Sequence, residues 1–304
     1  MRVGLGARPV AGRFVLLDEI ASGGMSAVWR AWDLRERRCV AVKVLAREHG
    51  GLLLRFVQEQ SIRVRHPHVV APYAWAADEE RVLFAMDLVR GGSVETLARR
   101  HGRGLPAGVV ADLLGQLLDG LAAVHRAGIV HRDVKPGNLL LEPTGTGRPH
   151  LRLADFGVAA RLGGPRLTQA PGLVGTDGYV APEVDGGAAP SPVQDLYAAG
   201  VVAAVLLTGC GPRTAVAALG DGPLEELVRA LTTAEPARRP PDAAAALARV
   251  RDLRLLEVGW WPVVVDGLGP DPSYARVDWL RLLAIAGFAV ALLLGGTAVG
   301  LAWG

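Results

Sequence analysis

Lysine, asparagine and cysteine are nearly absent from this 304-residue chain. Lysine stands at Lys43 and Lys135 only, asparagine at Asn138 only, and arginine fills almost every other basic position. A GC-rich coding bias produces such a composition, so a lysine or asparagine kept against it marks a place where chemistry requires that side chain. The two cysteines, Cys39 and Cys210, are far apart and share no metal-ligand spacing. That excludes a disulfide scaffold and a cysteine metal site, and fits reduced thiols in a cytosolic domain. A charge excess is also missing: 33 basic residues face 30 acidic ones, for a net charge of +3. The sequence pI of 9.2 therefore overstates a balanced chain, and no nucleic-acid partner is expected. Met1 to Arg13 hold no apolar run that would serve as a signal peptide.

At about 150 residues per domain the length allows about two domains. Apolar residues make up 50% and charged ones 21%, ordinary globular values. The mean hydropathy of +0.27 is high for a soluble protein, and much of it comes from the C-terminal end. Residues 282–303 run without a charge. As a helix they span about 33 Å, against a bilayer core of about 30 Å. Uniform apolarity without a polar face favours a membrane span over a buried core helix. Arg276 and Arg281 precede it and Trp279 and Trp303 flank it, which keeps the large N-terminal part in the cytoplasm of a single-pass membrane protein. On this reading no extracellular sensor domain belongs to the chain. Gly296 and Gly300 form a short GxxxG that permits a homodimer, although chance explains it better in a Gly-rich run. Residues 255–281, with Trp260, Trp261, Pro262, Pro270 and Pro272, read as a juxtamembrane linker.

The globular part, 10–254, changes texture once. Up to residue 89 the apolar pattern has mostly period two: Val40, Val42 and Val44 face one way, Ala41 and Lys43 the other. A helical stretch near Leu54 to Arg65 interrupts it. From residue 90 the period becomes helical. Pro106 opens a segment with Val109, Val110, Leu113, Leu114, Leu117, Leu118, Leu121 and Val124 in register, and Gly128 closes it. A small β-rich lobe (10–89) therefore precedes a larger helical one (90–254).

Three short features and one long one carry chemistry. Ile20-Ala-Ser-Gly-Gly-Met-Ser-Ala-Val28 is a glycine-bearing turn between strands, a shape that brings backbone N–H groups close to a polyphosphate. Val40-Ala-Val-Lys-Val44 sets a lysine on a strand, and Glu59 follows sixteen residues later. Each alone has an ordinary explanation: a hairpin turn, a solvated edge residue, a surface acid. The long feature is His131-Arg-Asp-Val-Lys-Pro-Gly-Asn138, followed by Leu139 to Leu141, then Asp155-Phe156-Gly157 and Ala181-Pro182-Glu183. In this order the motifs resemble those of eukaryotic-type (Hanks-type) bacterial serine/threonine protein kinases, over roughly residues 14–250.

The resemblance implies an α+β bilobal protein-kinase fold, with a β-rich N-lobe and a helical C-lobe, here followed by one transmembrane helix. It implies ATP and Mg2+ (or Mn2+) as cofactors and protein Ser/Thr hydroxyls as acceptors. Lys43, positioned by Glu59, would bind the α- and β-phosphates; Asp155 and Asn138 would hold the metal ions. Asp133 would take the acceptor's proton, and Lys135 would sit near the γ-phosphoryl and exclude tyrosine acceptors. Ile20, Gly23, Gly24, Val28, Ala41 and Leu140 match the nucleotide-binding positions, and Met86 the residue at the back of the adenine pocket, with Asp87 to Val89 as the hinge. The two lysines and the asparagine are thus the phosphate- and metal-contacting residues, and arginine does not replace a compact ammonium in such sites. A decayed enzyme in an arginine-rich background would have been free to lose them.

Departures from the pattern point the other way. Ala21 and Ser26 stand where the first and third loop glycines belong, so weaker nucleotide affinity is expected. Only residues 208–235 are available for the substrate-docking region. The alternative these features support is a nucleotide-binding membrane scaffold without catalysis; a small-molecule phosphotransferase fits Lys135 and Thr176 poorly. Between Asp155 and Glu183 stand two threonines and no serine. Thr176 matches the threonine that touches the catalytic aspartate, which leaves Thr168 as the regulatory phosphosite, with Arg132 as a cation for its phosphate. Asp195 and Gly200 match the helix supporting the catalytic loop, and Arg239 the partner of Glu183.

Overall fold

Alternating side chains build the first lobe. β1 (Phe14–Gly23), β2 (Ser26–Asp33), β3 (Arg38–Ala46), β4 (Ala74–Ala77) and β5 (Arg81–Met86) form one antiparallel sheet in the order β1-β2-β3-β5-β4. Ala31, Val40, Val42, Leu83 and Ala85 meet on one face in a cluster with Phe14. Directly paired residues share a face, so the register assigns the other face to Val28 with Lys43, Lys43 with Phe84, Arg30 with Ala41, and Ala41 with Met86. This second face roofs the cleft between the lobes. The computed structural model describes residues 9–23, 26–46, 64–77, 81–155, 160–161, 178–255 and 259–271. Gly24, the helical stretch expected near 54–65 with Glu59, Thr168, Thr176 and residues 282–303 lie outside the described residues.

Helical periodicity builds the second lobe. α1 (Val94–His101) starts where Ser93 Oγ accepts from the Thr96 amide at 3.2 Å and stops at Gly102, whose φ is +69°. α2 (Ala107–Arg126) carries the ridge from Val109 to Val124, and all eight expected positions are 3% exposed or less. It is long and apolar enough to cross a bilayer, yet it is wrapped inside the C-lobe. Its apolarity serves the core. A one-turn α3 (Pro182–Asp185) precedes α4 (Pro192–Thr208), which is almost wholly apolar beyond its first turn and buried across α2. Gly200 on α4 meets the Leu231–Thr232 turn: a Cβ there would lie 2.8 Å from Leu231 Cβ and 2.7 Å from Thr232 Cγ2. The short segment after α4 holds one turn, α5 (Pro212–Ala215), and then α6 (Pro223–Leu231); α7 (Ala243–Asp252) packs on α2.

Two small ribbons join the lobes' chemistry. β6 (Ile129–Val130) pairs with β9 (Ala160–Arg161), and β7 (Leu139–Glu142) pairs with β8 (His150–Leu153). Leu139 lies opposite Leu153, so the turn ending at Asn138 and the segment Ala154–Asp155 leave that hairpin at the same end. This is a two-lobed architecture, a β-rich lobe followed by a helical one, as the sequence resemblance implies. Residues 259–271, within the stretch expected to act as a linker, lie on this domain: Trp261 packs against the C-lobe core and Val264 is 2% exposed.

Candidate active site

A cleft of about 630 Å3 opens between the sheet and the C-lobe. Ile20, Val28 and Ala41 line its roof, Met86 its back, and Leu140 its floor, with Lys43, Asn138 and Asp155 at the polar end. An apolar slot that ends in charge suits a flat base joined to a polyanion. Lys43 and Asp155, 112 residues apart in sequence, meet across the lobes with Nζ 2.5 Å from Oδ1.

The loop after β6 forms a second cluster. Lys135 Nζ lies 2.8 Å from Asp133 Oδ2. Asn138 donates through Nδ2 to both the Asp133 carbonyl and Asp133 Oδ2, each at 2.8 Å. Both amide hydrogens are thereby engaged, which turns the amide oxygen of Asn138 over to a cation. That oxygen and the Asp155 carboxylate are hard donors on one cleft. Among the described residues no set of three His, Cys, Asp or Glu side chains gathers around a metal position. Two oxygen donors fit Mg2+, which keeps waters and substrate phosphates as its remaining ligands.

What holds these groups is a buried network. Asp195 on α4 is 1% exposed. Its Oδ2 accepts from the His131 amide and its Oδ1 from the Arg132 amide, both at 2.8 Å, and His125 Nε2 lies 2.8 Å from Oδ2. Burial works to raise the Asp195 pKa, but the hydrogen bonds from His125 and the Arg132 amide hold it below the ordinary carboxylate value. Arg132 has φ +68° and Asp155 φ +67°, a conformation that costs of order 1–3 kcal/mol in a non-glycine residue. The anchored amides maintain the first. The second is fixed by the Ala154 amide donating to the Asn138 carbonyl at 2.9 Å. His131 ties the two together: Nε2 donates to the Ala154 carbonyl at 3.1 Å, and Nδ1 accepts from the Asp133 amide at 3.3 Å. That pattern requires the neutral Nε2–H tautomer, and burial pushes the His131 pKa down accordingly.

Further from the cleft, Arg239 holds the Ala181-Pro182-Glu183 corner. Its guanidinium makes two bonds to Glu183, at 2.7 and 2.8 Å, and stacks over Tyr197 with its carbon 4.9 Å from the ring centre. Asp87 at the start of the hinge accepts from Arg38 of β3 and Arg152 of β8, both at 3.0 Å.

A model of the protein kinase domain matches residues 14–237. The chain belongs to the protein kinase family. Serine/threonine-protein kinase PkaA of Streptomyces coelicolor is 35% identical over 307 residues, covering 89% of this chain and 53% of that protein. Serine/threonine-protein kinases PknL and PknA of Mycobacterium tuberculosis are 36% and 33% identical, covering 77% and 82% of this chain and 63% and 57% of those proteins. The kinase chain thus spans between half and two thirds of the length of these relatives.

Within the protein kinase cleft, the structure places Ile20, Val28, Ala41, Lys43, Met86, Asn138, Leu140 and Asp155 on one wall system, with Asp133 and Lys135 tied to it through Asn138. Gly23 lies at the end of β1, opposite Ser26. Among the cleft-lining residues that sequence reasoning missed are Arg90, Gly267 and Leu268. The last two follow the kinase match and belong to no motif, so no local signal marked them.

Proposed function

We propose that this chain is a membrane-anchored serine/threonine protein kinase that transfers the γ-phosphoryl group of ATP to protein hydroxyls, itself included. The observation that carries the reading is the joined cluster of Lys43–Asp155 and Lys135–Asp133–Asn138 at the polar end of one apolar cleft. The base would lie between Val28 and Ala41 above and Leu140 below, with Met86 limiting the depth, and Ile20, Gly23 and Gly24 at the phosphate turn. Lys43, with Glu59 to orient it, would neutralise the α- and β-phosphates. Mg2+ held by Asn138 and Asp155 would supply charge neutralisation on the phosphate oxygens. Asp133 orients the serine or threonine hydroxyl and takes its proton as that oxygen bonds to the γ-phosphorus. The bond from phosphorus to the β–γ bridging oxygen breaks, and ADP leaves with the electron pair. Lys135, beside Asp133, is placed to stabilise the moving charge.

Residues 282–303 would anchor the protein, with Arg276 and Arg281 keeping the kinase domain cytoplasmic. Thr168 would be the phosphosite that orders the 155–183 segment, and Thr176 would contact Asp133.

The test uses the full chain and Asp133→Asn with labelled ATP and Mg2+, on itself and on a generic basic protein. Labelling by the first alone, with phosphate on Thr168 after site mapping, is the expected result. Stabilisation of both by Mg·ATP with labelling by neither would replace the kinase reading with the scaffold. Phosphate elsewhere but not on Thr168 would remove the regulatory assignment alone. Release of the protein from membranes by alkaline carbonate would remove the anchor.

A further inference from the structure

The segment 264–271 crosses from the C-lobe over the hinge to the N-lobe, and each part of it is held. On the C-lobe side Val264 and Gly145 exchange backbone hydrogen bonds of 2.8 and 2.9 Å. At the hinge the Gly267 amide donates to the Arg90 carbonyl at 2.7 Å. The Arg90 guanidinium donates to Asp266 at 2.8 Å, to Asp271 at 2.7 Å and to the Gly269 carbonyl. Asp266 in turn accepts from the Leu268 and Gly269 amides at 2.8 and 3.0 Å, which fixes the turn. On the N-lobe side Arg30 of β2, 6% exposed and paired with Asp18, donates to the Leu268 and Pro270 carbonyls at 3.3 and 3.2 Å. Gly91 admits this crossing: a Cβ there would lie 2.6 Å from Val264 Cγ1 and would also collide with the Leu141 carbonyl.

Arg30 sits on the cleft-facing side of the sheet, directly opposite Ala41. The segment therefore closes the cleft where the base would enter, and Gly267 and Leu268 form part of its wall. From these contacts we infer that residues 264–271 are a strap that completes the nucleotide site, with Leu268 a nucleotide-contacting residue and Arg90, Asp266 and Asp271 its positioning residues. The inference rests on the ATP-binding reading above and extends it to residues outside the kinase motifs.

Cys39 supplies a reporter. Burial, and then the carboxylate of Asp271, push its thiol up to about 11, so a docked strap keeps it protonated and slow to alkylate. Cys210, the other free cysteine, lies on the C-lobe and serves as the internal reference.

The experiment uses the full chain, Leu268→Ala and the double variant Asp266→Asn with Asp271→Asn. The last two side chains are 39% and 48% exposed, so their isosteric replacement leaves the core untouched. Two quantities are read: the Kd for a fluorescent ATP analogue with Mg2+, and the iodoacetamide labelling rate of Cys39 relative to Cys210. Leu268→Ala is expected to weaken nucleotide about tenfold, the loss of one apolar wall residue, with Cys39 labelling unchanged. The double variant is expected to weaken nucleotide about fivefold or more and to speed Cys39 labelling severalfold. Faster labelling with an unchanged Kd would overturn the strap's role in nucleotide binding. No change in either quantity would overturn its docking. If the unaltered chain binds no nucleotide, the strap inference falls together with the ATP-binding reading; unaltered binding in every variant removes the strap alone.

Discussion

Asp195→Ala removes the carboxylate that anchors the amides of His131 and Arg132, next to Asp133. The carboxylate is buried and accepts two backbone amides at 2.8 Å, beside His125 Nε2 at 2.8 Å. A hydrogen bond to a charged group contributes about 1.5–3 kcal/mol, so the two amides set a loss of about 3–6 kcal/mol. We expect Asp195→Ala to destabilise by about 4 kcal/mol, a large share of the roughly 5–15 kcal/mol that holds a domain folded. Asp195→Asn keeps one acceptor oxygen and turns an NH2 toward the other amide, so about half that loss is expected.

Urea unfolding of the full chain gives both numbers, as a shift of midpoint at constant slope. Activity adds a second reading. Arg132 is held at φ +68° by these amides, and relaxing it displaces Asp133; a 1 Å misplacement costs about 100-fold in rate. A loss below 1 kcal/mol for Asp195→Ala, with kcat retained, would refute the claim that this carboxylate carries the loop.

Other consequences are simpler to measure. The folded-state pKa of His131 is lowered by burial, so the folded protein binds fewer protons there than the unfolded chain. Its contribution to stability is complete above about pH 6.5, the unfolded value, and declines as the pH falls below it; His131→Phe should flatten that slope in urea titrations between pH 7 and 5. Arg239→Lys keeps the charge but loses the two-pronged grip on Glu183, and a loss of about 1–3 kcal/mol should appear in the same assay. Leu117→Ala, in the middle of the α2 ridge and 1% exposed, should cost about 2–5 kcal/mol by cavity formation. Chelating divalent cations with EDTA should abolish phosphoryl transfer and restore it on adding Mg2+, as a site with two protein oxygen donors requires.

Periodicity made the two lobes legible. The strand around Lys43 and the ridge of α2 are local patterns, and both emerge with the expected faces buried. The pairing of Arg239 with Glu183 was legible for another reason: each residue sits in its own motif, and the fold brings the motifs together. The strap was not legible. Its prolines and glycines have the composition of a flexible linker, yet Gly267, Gly269 and Pro270 shape a turn whose partners, Arg30 and Arg90, lie 176 or more residues away. No window of sequence contains both halves of such a contact. The hinge was foreseen as a connection, but its clamping by Arg38 and Arg152 through Asp87 depends on strand register, which composition does not give.

The scarcity of lysine gains its meaning from geometry. Arginine occupies the clamps at Asp33, Asp87, Asp266 and Glu183, wherever a planar fork can satisfy a carboxylate or several carbonyls at once. The two lysines occupy the two places where a cation must meet one carboxylate oxygen in a confined space: Lys43 against Asp155, with 13% of its side chain exposed, and Lys135 against Asp133. At both, a compact ammonium can leave its carboxylate partner and turn to a phosphate without carrying a rigid plane through the cleft. A guanidinium at position 43 would have to fit its fork between Asp155 and the sheet, in the space the phosphates need. Coding bias toward arginine therefore stops at the two positions where an ammonium faces a single carboxylate oxygen.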